Sequence, residues 1–244
     1  MAVNGEYTMA GKLYIIGVGP GDPGLLTLRA LELLQQARRV FIPVSGDGRE
    51  SLALDIIQEH ISAEASVTEL VFPMSHDRQI MESAYRKNYS MVSSVLRTGG
   101  DAALVTIGDP STYSTAWQVF RLLQQHDPES TCEVVPGITS YAAAAARAGI
   151  QLTQGHESLA VVSSYSDARK LESVIDCADT IVFLKTYRKR EMLLELLRSK
   201  GLLDRCVYIS RCGLPKEAII FDFSLLPTEA DYFSMIIFKK GGLG

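Results

Sequence analysis

Asp109 lies in the stretch Ile107-Gly108-Asp109-Pro110-Ser111-Thr112-Tyr113-Ser114, which joins an apolar run to a helix-period pattern. A carboxylate in such a turn can accept a proton or cap the helix that follows. Gly108 lets the chain turn and leaves backbone open to a ligand. The capping alternative is supported by Pro110, which suits a first helical turn. A second chemical stretch is Phe183 to Arg190, where four of eight residues are basic (Lys185, Arg188, Lys189, Arg190) in a chain of net charge -4. Basic residues at a helix start oppose the helix dipole, which points to an anionic partner; a solvated charge run is the competing reading. Gly17-Val18-Gly19-Pro20-Gly21-Asp22 offers bare backbone to a flat ligand. It departs from a dinucleotide fingerprint, because Asp22 stands where the third glycine belongs and the second strand ends in Ile42-Pro43-Val44-Ser45 without an acid. In Val135-Pro136-Gly137-Ile138-Thr139-Ser140, two hydroxyls meet a helix start, and simple capping accounts for them equally well.

The elements that must hold these turns follow from periodicity. Apolar runs at 13–18, 40–43, 67–72, 102–107 and 132–135 read as strands buried on both faces. Helix-period segments at 25–37, 51–60, 77–96, from Trp117 to Gln124 and 142–148 alternate with them, with Ser140 capping the last. Alternation of this kind implies a doubly wound, mostly parallel sheet. Gly149 to Glu157 is polar and reads as a linker. Beyond it come strands at 159–163, 180–184 and 207–210 with helices at 167–175 and 189–200. Two further strands, 219–223 and 232–238, have no crossover helix and must pair antiparallel. The expected organisation is therefore α/β with two domains. A flexible tail covers 1–11, a mostly parallel N-terminal domain 12–149, a linker 150–157 and a mixed C-terminal α/β domain 158–244. Two such domains form a cleft, a preferred place for ligands.

Composition narrows the function classes. The chain has 244 residues, 47% hydrophobic and 21% charged, as in a water-soluble globular protein. No apolar run reaches the roughly 18 residues of a membrane span, and the first residues lack an apolar signal core, so the chain reads as cytoplasmic. The acidic balance argues against nucleic acid. Cys132, Cys177, Cys206 and Cys212 have no metal-knuckle spacing; Cys132 and Cys177 read as buried and inert. No protein metal site is expected.

The three turns, GVGPGDPGLLTLRA, IGDPSTYST and VVPGITSYAAAAARAGI, taken in this order, resemble those of the tetrapyrrole methyltransferases of the cobalamin and sirohaem pathways. The resemblance runs from Lys12 to Phe238. Phe72-Pro73-Met74, Ser111 to Thr115 and Ala142 to Gly149 resemble the members that methylate the C20 meso carbon of precorrin-2 or cobalt-factor II, giving precorrin-3A or cobalt-factor III. The same family contains methyltransferases acting at other ring carbons, and a non-catalytic protein binding tetrapyrrole or adenosylmethionine is the reading from a different class.

What the resemblance implies is a homodimer holding S-adenosylmethionine between its two domains. Carried over by motif, the cofactor contacts are Pro20, Ile107, Gly108, Asp109, Thr112, Tyr113, Ser114, Thr139, Ser140, Leu184, Lys185 and, with a one-residue slip in the alignment, Gly213. Many relatives have methionine at the position of Lys185, so this lysine departs from the pattern and is a candidate for the substrate. Asp109 is the candidate base, with Lys185 and Tyr113 as the other candidate catalytic residues. Lys185 and Arg188 are the candidates to pair with substrate carboxylates, and any cobalt arrives inside the substrate.

Overall fold

The computed structural model describes residues 10–46, 51–75, 77–163 and 167–243; nearly all of the tail expected at 1–11 falls outside them. The chain forms two compact units, one ending at Thr139 and one beginning at Ser140.

The first unit alternates strands and helices in chain order: β1 (Lys12–Gly17), α1 (Leu28–Gln36), β2 (Arg39–Val44), α2 (Leu52–Ile57), β3 (Ser66–Val71), α3 (Arg78–Leu96), β4 (Ala102–Thr106), α4 (Ala116–His126) and β5 (Thr131–Val135). All strands pair in parallel, in the order β3-β2-β4-β1-β5. Strand side chains alternate between faces, and here both faces are buried. Ile16, Val40, Ile42, Ala103 and Val105 pack with Leu33, Leu34, Ile56 and Ile57 of α1 and α2. Leu13, Ile15, Phe41, Leu70 and Leu104 pack with Val92, Leu96, Val119 and Leu123 of α3 and α4. Continuous apolar runs such as Ala102 to Val105 are the consequence.

The second unit begins with α5 (Ser140–Ala148) and continues through β6 (Leu159–Ser163), α6 (Ala168–Cys177), β7 (Thr180–Leu184), α7 (Arg190–Ser199), β8 (Cys206–Ser210), β9 (Ala218–Ile220) and β10 (Ser234–Lys239). Its sheet has the order β6-β7-β10-β8-β9. β6 and β7 are parallel, while β10 runs antiparallel to both β7 and β8, and β9 antiparallel to β8. The mixed pairing follows from the missing helices after β8. Ile181, Phe183, Tyr208, Ile236 and Phe238 pack with Leu171, Ile175, Leu193 and Leu197 of α6 and α7.

Several local expectations are corrected. The helix expected from residue 25 starts at Leu28, because a 3-10 turn over Pro23–Leu25 comes first; Asp22 caps that turn and Thr27 caps α1. Ser140 is the first residue of α5 rather than a cap ahead of Ala142. Cys177 is exposed at the end of α6 and Cys132 only half-buried, while Cys206 and Cys212 are buried. Burial pushes the Cys132 and Cys206 thiols up to about 12, so neither is a thiolate near neutrality.

One polar cluster fastens α3 to α4. Asp127, buried just after α4, accepts hydrogen bonds from Tyr89 Oη (2.8 Å), Ser93 Oγ (2.5 Å) and Arg97 Nε (2.7 Å) of α3 and the residue after it. Burial alone would raise this carboxyl, but the bonds from Ser93, Tyr89 and Arg97 outweigh it and hold it below its ordinary value. Its stabilising contribution is thus complete above about pH 4 and is lost as the pH falls through the lower folded value. Asp127→Ala should cost about 2–3 kcal/mol at neutral pH, since buried donors lose their acceptor. Urea unfolding of both proteins should show that difference shrinking below about pH 4.

Candidate functional site

β1 lies between β4 and β5, so the loops leaving these three strands are neighbours at the carboxyl edge of the first sheet, about 5 Å apart strand to strand. They touch backbone to backbone. A Cβ on Gly17 would stand 2.7 Å from both Gly108 O and Gly137 N. One on Gly137 would run into Gly108 O and stand 2.8 Å from Gly17 C. An isolated bridge adds to this: Gly108 N donates to Gly19 O (2.6 Å) and Gly19 N to Gly108 O (3.3 Å), while Val18 N donates to Thr106 O (2.9 Å). Gly108 itself has φ 72, and a Cβ there would meet nothing within 4 Å. Its outer face is therefore open where its inner face is packed.

Asp109 binds two of the turns together. One carboxylate oxygen accepts Gly137 N–H (3.0 Å); the other accepts Ser111 N–H (2.9 Å) and the Ser111 hydroxyl. Burial would raise the carboxyl, but the bonds from Ser111 and Gly137 dominate and lower it. Asp109 does not cap α4, and Pro110 is not in its first turn, because that helix begins only at Ala116. The hydroxyl at the helix start is Ser114: its Oγ accepts Ala116 N–H (3.2 Å) and pairs with Thr106 Oγ1 (3.0 Å). Between them, Thr112 N donates to Asp109 O (3.2 Å), and Tyr113 takes a left-handed conformation (φ 53) that leaves it 52% exposed.

Of the residues carried over by resemblance, the first sheet edge thus gathers Pro20, Ile107, Gly108, Asp109, Thr112, Tyr113, Ser114 and Thr139 on loops after β1, β4 and β5. Ser140 opens α5 in the second unit. Leu184 ends β7 with Lys185 just after it, and Gly213 follows β8; these two strands run in the same direction on either side of β10, so their ends share one edge of the second sheet. Lys185 is half-buried and left-handed (φ 58), and burial lowers its pKa. Arg188 ends a 3-10 turn over Thr186–Arg188 and is exposed.

Other contributors stand outside the expected site residues, although Gly17, Ser111 and Gly137 belong to turns singled out in the sequence. Ser111 braces Asp109, and Gly17 and Gly137 permit the close approach; the small residues at neighbouring strand ends were the available signal. Thr186 Oγ1 and Ser234 Oγ, 2.7 Å apart and buried, tie the β7 end to the β10 start. Arg211 is left-handed (φ 52) after β8, with Nε donating to Pro215 O (2.7 Å) and Nη1 to Asp231 (3.3 Å). Nothing in the sequence marks an arginine for that conformation.

The description "Tetrapyrrole (Corrin/Porphyrin) Methylases" matches residues 12–224, and the chain belongs to this family. It is 39% identical to a probable cobalt-precorrin-2 C(20)-methyltransferase of Methanocaldococcus jannaschii over 238 residues, 94% of this chain and 96% of that protein. It is 33% identical to the cobalt-precorrin-2 C(20)-methyltransferase of Salmonella typhimurium, over 95% and 98% of the two chains. In fold it matches a uroporphyrin-III C-methyltransferase of Thermus thermophilus solved with S-adenosylhomocysteine, at a TM-score of 0.65 and 24% identity, covering 94% of this chain and 98% of that one.

The two glycines should respond differently to a methyl group. Gly108→Ala meets no neighbour and should cost about 1–2 kcal/mol through left-handed strain alone. Gly137→Ala forces two backbones apart and should cost about 3 kcal/mol, at the upper end of overpacking penalties. Denaturant midpoints of the two variants give the comparison.

Proposed function

We propose that this protein transfers the methyl group of S-adenosylmethionine to the C20 meso carbon of cobalt-factor II or precorrin-2, giving cobalt-factor III or precorrin-3A, in cobalamin biosynthesis. The observation that carries this reading is the near full-length similarity to two proteins named for C20 methylation. Both names print cobalt-precorrin-2, which favours a cobalt-loaded ring over metal-free precorrin-2. The enzyme is read as a cytoplasmic homodimer on the family likeness.

The first unit fits the cofactor on an observation of its own. Gly108 presents open backbone beside the left-handed Tyr113, and no Cβ lies in the way. Pro20, Ile107, Gly108, Asp109, Thr112, Tyr113, Ser114 and Thr139 are the contacts proposed in this unit; Ser140, Leu184, Lys185 and Gly213 are carried over by the family likeness alone. When bound, S-adenosylmethionine supplies an electrophilic methyl group. The residues' main task is positioning, which can remove several kcal/mol from a two-reactant barrier, about 7 or more in well-oriented cases. Tyr113, exposed on its turn, is placed to pack against a planar ligand.

Asp109 has two proposed roles, proton acceptor from C20 and brace of the turns. The three hydrogen bonds it accepts favour the brace, because they stabilise the carboxylate and weaken it as a base. Lys185 would meet a carboxylate or steady charge on the ring, and its half-burial strengthens either interaction.

Incubation with S-adenosylmethionine carrying a carbon-13 methyl and with cobalt-factor II or precorrin-2, followed by mass and carbon-13 analysis, tests the reaction; label at any carbon but C20 would refute it. In the same assay Asp109→Asn should raise KM for S-adenosylmethionine several-fold, as the amide cannot accept both backbone N–H groups and the hydroxyl as before. A fall in kcat of about a hundredfold would instead make Asp109 the base. Lys185→Met, which keeps the stem and removes the charge, should raise KM for the tetrapyrrole about tenfold, the size of one lost charge-assisted hydrogen bond.

A further inference from the structure

The second unit holds a pocket of about 640 Å³ where the 3-10 turn Thr186–Arg188 passes into α7. Arg188, Lys189 and Arg190 line it in succession. Arg190 is the informative member. Its side chain is only 8% exposed, yet it carries a permanent charge. Nη1 donates to Pro227 O (2.8 Å), Nη2 to Thr228 O (2.8 Å) and Nε to Glu191 (3.2 Å). Two of these acceptors are neutral carbonyls, and the Glu191 carboxylate is 81% exposed, so solvent screens it. A guanidinium has five N–H bonds, and these partners use three. A buried cation so placed calls for a better counter-charge than the described residues give it.

Among the described residues the pocket has one further acid, Asp167, whose Oδ1 already accepts Lys170 N–H (2.9 Å) as the cap of α6. Among the described residues, the acids of this wall are thus Asp167, engaged at the start of α6, and Glu191, which meets Arg190 only from an exposed position. The rest of the wall is largely apolar, with Ala168, Met192 and Ala230, and the Tyr187 ring, over which the Arg188 guanidinium stands 5.4 Å from the centroid. A short apolar stem ending in an anion is the ligand such a wall accommodates. We propose that this pocket receives one carboxylate-bearing side arm of the tetrapyrrole, its methylenes against Met192 and its carboxylate on the Arg188–Arg190 ridge. The assignment rests on the tetrapyrrole reading and adds to it a specific recognition point, with Arg190 as a fixed anion-binding group.

The test is an absorbance titration of the protein with cobalt-factor II alone, with calorimetric titration of S-adenosylmethionine as the control. Arg188→Gln should raise the Kd for cobalt-factor II about tenfold, Arg188→Lys should recover most of it, and Met192→Trp, which fills the pocket, should weaken binding at least as much. S-adenosylmethionine affinity and melting temperature should stay within error in all three. Unchanged cobalt-factor II affinity in folded Arg188→Gln and Met192→Trp, with wild type binding and methylating normally, would overturn the pocket assignment alone. A wild-type protein that neither binds nor methylates cobalt-factor II would overturn this assignment together with the proposed function.

Discussion

The candidate site depends on three strand-end loops being able to touch without side chains in the way. Gly17, Gly108 and Gly137 meet through main-chain atoms, at separations where a Cβ on Gly17 or Gly137 would stand 2.7–2.8 Å or less from a neighbouring backbone. Such contact fixes the loops to each other as well as to their strands. Gly108 can then turn an open face outward while its carbonyl is held inside. Asp109 completes the arrangement by bonding across from the β4 loop to Gly137 of the β5 loop. Preorganisation of this kind is what a reaction governed by positioning needs, because a loop already fixed loses little freedom when a ligand arrives.

The sheet order makes this contact possible. With β1 between β4 and β5, loops far apart in sequence become adjacent at one edge. Apolar residues on both faces hold the strands in register, since a slip of one residue would exchange the two buried faces. Core packing and site geometry are thus one constraint: the register that buries Ile16 and Val105 on one face and Ile15 and Leu104 on the other also aligns Gly17 with Thr106, just ahead of Gly108.

The strands and the fold class could be read from the sequence, because burial on both faces leaves long apolar runs that admit few other interpretations. Leu159–Ser163 and Thr180–Leu184 fall where their apolar runs place them. Helix starts were less legible. Asp109-Pro110 looks like a cap and first turn, yet the chain spends Pro110 to Thr115 on a left-handed detour through Tyr113 before α4 begins. The local preference for helix at Pro110 yields to the Gly137 N–H and Ser111 groups that take the Asp109 carboxylate. Likewise Cys177, beside an apolar strand in sequence, lands on the outward side of the last turn of α6.

Both units mix glycine with bulkier residues at left-handed turns, Tyr113 in the first and Lys185 and Arg211 in the second, and they differ in where the bulkier residues fall. The first relies on glycine where the backbones meet, at little steric cost. The second places Lys185 and Arg211, both left-handed, at the ends of β7 and β8 on one sheet edge. Each non-glycine residue in that region costs about 1–2 kcal/mol that glycine would avoid. For Arg211 the compensation is visible: its backbone N–H donates to Phe233 O (2.8 Å) and its guanidinium reaches Pro215 O and Asp231. For Lys185 burial adds a desolvation penalty to the strain. At both strand ends a basic side chain stands where glycine would turn the chain without strain.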